Sequence, residues 1–291
     1  MLRVSRWLRP RPAGFAALIG LLATGCSSLT VFDDLVPKDR NGVLVASALP
    51  YGPGPRRQLD VYAPRGRRDG ERPVVVFFYG GSWSSGTRSG YAFVGRALAA
   101  RGFVVVVPDY RLVPEVRYPA FVEDGAAAVR WVEANARDYG GDPRRLVLMG
   151  HSAGAYIAAM LAVDTRWLGP DRAAVKGLVG LAGPYDFAPF DVDASRAAFG
   201  SWPRPVETQP VTWAGRGDPP ALLLYGAEDQ TVRPRNSEAL AARLRDGGVP
   251  VELRRYPGEG HVSLLLAIAR PFRQRAPVLD DASTFVNAVT R

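Results

Sequence analysis

The sequence predicts an α/β protein, with a mostly parallel central sheet, helices on both faces and one short irregular insertion. Three observations carry that expectation. Short runs of apolar residues, cut off by glycine or proline, read as strands buried on both faces. Helical patterns that end at glycine alternate with them. The composition, 47% hydrophobic and 22% charged over 291 residues, is that of a globular chain and excludes collagen, long coiled coil and wholesale disorder.

Residues 1–25 read as a targeting segment that precedes the fold. Arg3, Arg6, Arg9 and Arg11 come with no acid, and the apolar stretch Ala13 to Ala23 follows. That stretch is about half of the ~20 residues that span a bilayer, so it reads as an export signal. Leu22-Ala23-Thr24-Gly25-Cys26-Ser27-Ser28 resembles a bacterial lipoprotein lipobox, with Ala23 where such boxes more often carry leucine. The resemblance implies cleavage before Cys26, lipidation of its sulfur and acylation of the new N-terminus. Cys26 is the only cysteine, so the chain can form no internal disulfide. Several acyl chains anchor a protein stably to the cell envelope. Ser27 after the cysteine resembles sorting to the outer membrane. Residues 26–37 read as a tether and 38–291 as one domain.

Within that domain, residues 38–64 are expected to supply antiparallel strands. Pro73 to Tyr79 is a buried strand stopped by Gly80-Gly81. Phe103 to Val107, Leu146 to Met149, Leu178 to Leu181, Ala221 to Tyr225 and Val251 to Tyr256 continue the series. Helices are expected over Ala92 to Arg101, Phe121 to Tyr139, Ala155 to Val163 and Ser237 to Arg245. Val262 to Ala269 has a helical apolar pattern that suits the core. Residues 184–219 break the rhythm. Phe187, Phe190, Phe199, Trp202 and Trp213 stand there among many prolines, as a cap-like insertion over one edge of a site.

The formal charge is +9, but only Lys38 and Lys176 are lysines, and no basic run is interleaved with aromatics. Nucleic acid is therefore not an expected partner. The chemistry points elsewhere. Gly150-His151-Ser152-Ala153-Gly154 lies between an apolar strand and an alanine-rich helix. A sharp strand-to-helix turn needs small residues on both sides of the serine, and it exposes the Ser152 hydroxyl above the sheet. The Ala153 N–H then points at any oxyanion formed there. A serine needs a base, and the chain has two histidines. His151 adjoins Ser152 and should point away from its proton. That leaves His261, in a glycine-rich loop after the last strand. The base in turn needs a carboxylate behind it. Asp229, which starts a turn after an apolar strand, is preferred over Glu228. Tyr79-Gly80-Gly81-Ser82-Trp83 has two glycines after a strand, so backbone N–H groups of Gly81 and Ser82 can approach a substrate oxygen.

With these residues, the chain resembles the α/β-hydrolase superfamily over about residues 55–290. It is most similar to esterases of the hormone-sensitive-lipase type and to kynurenine formamidase-like, isoprenylcysteine methylesterase-like and feruloyl esterase-like proteins. Tyr79 to Trp83 is similar to the family's His-Gly-Gly-x-Trp loop. Pro108 to Glu115, Tyr118-Pro119-Ala120, Asp124, Gly140 to Pro143, Gly183 to Asp186 and the Ser152, Asp229, His261 order add to the likeness. Tyr79 departs from the family's histidine, which orients the loop, and its hydroxyl is expected to take over that task. Asp109-Tyr110-Arg111 is expected to brace the same loop. The resemblance implies a serine carboxylesterase that forms an acyl-enzyme and needs no metal or organic cofactor. Trp83, Tyr79 and Tyr185 are the expected substrate contacts, with the insertion and the residues after His261 shaping the pocket. Two alternatives share the fold: an amidase such as an arylformamidase, favoured by an aryl leaving group against Trp83, and a non-catalytic envelope lipoprotein. Nothing in the sequence signals an oligomeric state.

Overall fold

The computed structural model describes residues 26–66 and 70–291, with only the backbone of residues 26–30. The leader expected over residues 1–25 lies outside the described residues, as does the Cys26 side chain. The chain opens with α1 (Cys26–Leu35), β1 (Gly42–Pro50), β2 (Gln58–Pro64), β3 (Arg72–Phe78), α2 (Ala92–Ala99) and β4 (Val104–Pro108). It continues with α3 (Ala120–Asn135), β5 (Gly141–His151), α4 (Ala153–Val163), α5 (Thr165–Leu168) and β6 (Val175–Leu181). Then come α6 (Asp193–Phe199), α7 (Pro210–Trp213), β7 (Ala221–Gly226), α8 (Arg235–Asp246), β8 (Val251–Tyr256), α9 (His261–Leu266) and α10 (Val278–Val289).

The eight strands form one sheet in the order β1-β2-β4-β3-β5-β6-β7-β8. The pairs β1–β2 and β2–β4 are antiparallel, and every other pair is parallel. The expected antiparallel N-terminal strands are thus present. Val74 to Phe78 of β3 and Leu146 to His151 of β5 are buried along their whole length, as strands covered by helices on both faces must be. Edge strand β8 is the contrast: exposed Glu252 and Arg254 alternate with half-buried Val251 and Leu253, and Arg255 is exposed as well. Helix α4 is buried at every residue, so it is apolar all round and lies at the centre of the molecule.

Three elements differ from the sequence reading. β5 starts at Gly141, five residues before its apolar run. Gly141 pairs with Arg72, and the Asp142 carboxylate accepts from the Arg144 N–H and Arg145 Nε, both at 2.9 Å. The expected tether over 26–37 is instead mostly helix. Phe32 and Val36, four apart, put one apolar face into the core, where Phe32 meets Phe93 at 5.5 Å and Phe272 at 6.1 Å between ring centroids. The Asp33 carboxylate accepts the Phe93 N–H at 2.7 Å and adds a polar tie. The insertion over 184–219 holds two short helices, α6 and α7, with Phe199 fully buried.

Candidate active site

Parallel strands place their C-terminal ends along one edge of a sheet, and ligand sites of open α/β sheets lie there. Here the loops after β3, β5, β7 and β8 meet at that edge. The turn from β5 into α4 holds Ser152 at φ 54°, ψ −124°, a conformation that L-residues rarely adopt. Small neighbours make it sterically possible. A Cβ on Gly154 would lie 2.1 Å from the Phe78 carbonyl oxygen, and one on Gly150 would lie 2.4 Å from Gly154 backbone. The Ser152 N–H donates to the Leu181 carbonyl at 2.9 Å, which fixes the turn to the neighbouring strand β6.

Ser152 Oγ is 2.8 Å from His261 Nε2, and His261 Nδ1 is 2.8 Å from Asp229 Oδ2. Asp229 is 2% exposed, and its other oxygen accepts the Thr231 and Val232 N–H groups, each at 2.8 Å. Those two bonds leave one carboxylate oxygen free to face the imidazole. The rival Glu228 side chain is exposed to solvent. His261 opens α9, and the preceding loop is held by a 2.8 Å bond from the Gly260 N–H to Ser263 Oγ. The three sequence-predicted residues are therefore in one hydrogen-bonded row.

His151 points away from the serine hydroxyl. Its Nε2 lies 3.1 Å from the His261 carbonyl oxygen, an atom that only accepts, so Nε2 carries the proton. Burial, reinforced by the neighbouring His261, pushes the His151 imidazole down to about 3. His151 is a neutral strut between the turn that holds Ser152 and the backbone of His261.

The loop after β3 lies against Ser152. A Cβ on Gly80 would sit 3.0 Å from Ser152 Cβ and 2.9 Å from His151 Nδ1. Beyond it, Ser82 and Trp83 take φ of 52° and 58°, and the Ser84 and Ser85 N–H groups both donate to the Gly81 carbonyl at 3.0 Å. Tyr79 anchors this loop. Its hydroxyl donates to Asp109 Oδ1 at 2.8 Å and accepts from Arg56 Nη2 at 2.8 Å. The Tyr110 hydroxyl donates to the Tyr79 carbonyl at 2.8 Å, and the two rings stack at 4.7 Å. Arg88 spans Asp60 and Asp109 behind them. Burial raises the Tyr79 hydroxyl well above the usual phenol value, so it stays a donor.

A cavity of about 480 Å³ opens beside Ser152. Trp83, Pro184, Phe187 and Val192 line it on one side, with Ser82 and Ala153 next to the serine. Trp83 is stacked on Phe187 at 6.0 Å and edge-on to Phe199 at 4.8 Å. Of the three expected substrate contacts only Trp83 lies in this lining. Tyr79 and Tyr185 correct the expectation: both are fully buried. Tyr79 serves the loop, and Tyr185 packs under the end of β6, where a Cβ on Gly180 would strike its hydroxyl. The insertion shapes the cavity as expected. The residues after His261 do not: Leu264 and Leu265 are in the core, which their unbroken apolar run signals. The other wall comes instead from Gln230, Thr231, Val232, Arg233 and Arg235, which the sequence reading left unassigned. The available signal was adjacency, because a carboxylate placed against His261 carries its successors to the same mouth. Among the described residues no group of three or more His, Cys, Asp and Glu is placed to hold a metal ion.

A mostly parallel sheet carrying serine, aspartate and histidine loops in this order defines an α/β-hydrolase fold. Within it, the chain belongs to the BD-FAE family, whose model matches residues 59–244. It is 32% identical over 247 residues to a probable isoprenylcysteine alpha-carbonyl methylesterase, ICMEL1, of Oryza sativa subsp. japonica, covering 76% of this chain and 58% of that protein. It is 30% identical over 266 residues to Esterase LipC of Mycobacterium tuberculosis, covering 83% and 64%. The chain thus spans less than two thirds of the length of these relatives. Esterase B from Lactobacillus Rhamnosis (HN001) shares the fold, with a TM-score of 0.81 and 19% identity over 94% of both chains.

Proposed function

We propose that the protein is a serine carboxylesterase in which Ser152, His261 and Asp229 form the catalytic triad. The observation that carries this is the row of two 2.8 Å contacts from Ser152 Oγ through the His261 ring to Asp229. The esterase names of its relatives, a methylesterase and Esterase LipC, support the same bond type. In this reading Ser152 Oγ attacks the ester carbonyl carbon while its proton moves to His261 Nε2. Asp229 holds the Nδ1–H and stabilises the imidazolium. The N–H groups of Ala153, Ser82 and Gly81 receive the oxyanion. His261 returns the proton to the departing alcohol, and water repeats the sequence to release the acid. The apolar side of the cavity, Trp83 with Phe187, suits an acyl or aryl group.

Ser152→Ala should lower kcat by a factor on the order of 10⁶ and abolish labelling by a fluorophosphonate, because triad members act as a unit. Turnover of p-nitrophenyl acetate at near wild-type rate by that variant sinks the assignment. The basic, apolar leader and Cys26 support a second part of the reading, export and lipid anchoring to the bacterial envelope. Cys26→Ser should then move the full-length protein from the membrane to the soluble fraction, and unchanged membrane association refutes the anchor.

A further inference from the structure

We infer that the preferred ester carries a negative charge remote from its scissile carbonyl, received by Arg233 and Arg235 at the cavity mouth. This rests on the esterase reading above. The cavity is chemically lopsided. Its apolar side is Trp83, Phe187 and Val192, and its polar side follows directly from Asp229. Arg233 and Arg235 are both exposed on that side, and neither forms an ion pair with a described carboxylate. Other arginines near the site are committed to the fold: Arg88 to Asp60 and Asp109, Arg57 and Arg111 to the buried Asp124.

The backbone under the two guanidiniums is held in place. Asn236 Oδ1 accepts the N–H groups of Tyr185 and Asp186 at 3.0 and 2.9 Å, and its Nδ2 donates to the Arg233 carbonyl at 3.2 Å. The start of α8 is thereby pinned to the first residues of the cap. A guanidinium is charged at every working pH and grips a planar anion with two parallel N–H bonds. The one acid in the lining, Asp191, comes from the cap, so the two signs enter from different elements. A cavity of about 480 Å³ has room for an ester whose apolar part lies on Trp83 while an anionic end reaches the mouth.

The test compares matched esters: mono-4-nitrophenyl adipate with 4-nitrophenyl hexanoate, which puts the charge on the acyl side, and 3-carboxy-4-nitrophenyl acetate with 4-nitrophenyl acetate, which puts it on the leaving group. Rates are corrected with the Ser152→Ala protein. The readout is the ratio of kcat/KM, charged over neutral. In at least one pair, Arg233→Gln/Arg235→Gln should lower the ratio about tenfold, and Asp191→Asn should raise it. Raising salt from about 0.02 M to about 0.5 M should lower the wild-type ratio as well. Opposite responses to opposite charge changes are what a merely structural disturbance would not give. If both pairs ignore the substitutions and salt, or if both variants move the ratio the same way, the charge assignment is overturned. If the double variant does not fold, Asp191→Asn and the salt series decide. Neutral esters turned over no faster than by Ser152→Ala would instead remove the esterase reading, and this inference with it.

Discussion

Protonating His151 should destabilise the protein in a way that can be separated from the other acid effects. The imidazole is 4% exposed and sits with its Nδ1 buried and without a partner, while its Nε2–H is committed to the His261 carbonyl. Burial first, and repulsion from His261 second, lower it from 6.5 to about 3. The folded state therefore binds this proton less readily than the unfolded chain. Stability is full above the unfolded value and is lost as pH falls towards the folded one, at about 1.4 kcal/mol per pH unit. From about pH 7.5 to about pH 4.5, two of those units are crossed, so this one group costs about 3 kcal/mol. The assay is urea unfolding of wild type and His151→Gln at both pH values, followed by far-UV circular dichroism. Carboxylates that titrate in the same window are common to both proteins and cancel. The wild type should lose about 3 kcal/mol more than the variant over that interval. Equal losses would show that the proton finds a place in the folded protein, and the neutral-strut account of His151 would fail.

Two further substitutions probe the row of contacts and the loop against it. Asp229→Asn keeps the side-chain shape and the Thr231 and Val232 bonds within reach, but removes the charge behind His261, so kcat should drop about 10⁴-fold with the fold intact by circular dichroism; a loss under tenfold argues for a different acid. Gly80→Ala adds a Cβ 3.0 Å from Ser152 Cβ and 2.9 Å from His151 Nδ1, which pushes the loop of Gly81 and Ser82 away from Ser152. Its kcat/KM should fall by about 10² or more, and wild-type values would show that this loop is not part of the catalytic geometry.

What was legible in the sequence follows from which signals are local. The strands that announce themselves, Val74 to Phe78 and Ala221 to Tyr225, are buried on both faces and need no partner to be recognised. Ser152 is marked by its own neighbours, because Gly150 and Gly154 exist to let backbone pass within a Cβ's reach. His261 is marked only by elimination, because the chain has two histidines and the other adjoins Ser152. Helix α1 was hidden for the opposite reason. Phe32 and Val36 are too few to make a pattern, and their value appears only when Phe93 and Phe272 arrive from far along the chain. The polar cavity wall at 230–236 was hidden in the same way: its residues look like an ordinary solvated turn until β7 and β8 bring Asp229 against His261.

Tyr79 shows how a departure from a family pattern can be read physically once both halves are in view. A histidine at this place would bring a small ring and two nitrogens. The phenol instead reaches Asp109 and Arg56 with one oxygen, and its ring stacks on Tyr110 at 4.7 Å and Tyr91 at 5.3 Å. Asp109 in turn accepts the Arg88 N–H at 2.7 Å, on the far side of the same loop. The loop is therefore clamped at both ends to one buried carboxylate: Tyr79 before Gly80-Gly81, Arg88 after the turn. A clamp of this kind matters because Ser82 and Trp83 between its ends hold positive φ, a conformation that persists only where the surroundings over-determine it. The tyrosine hydroxyl is the donor that ties the start of the Gly80-Gly81 loop to Asp109, as the Arg88 N–H ties its end.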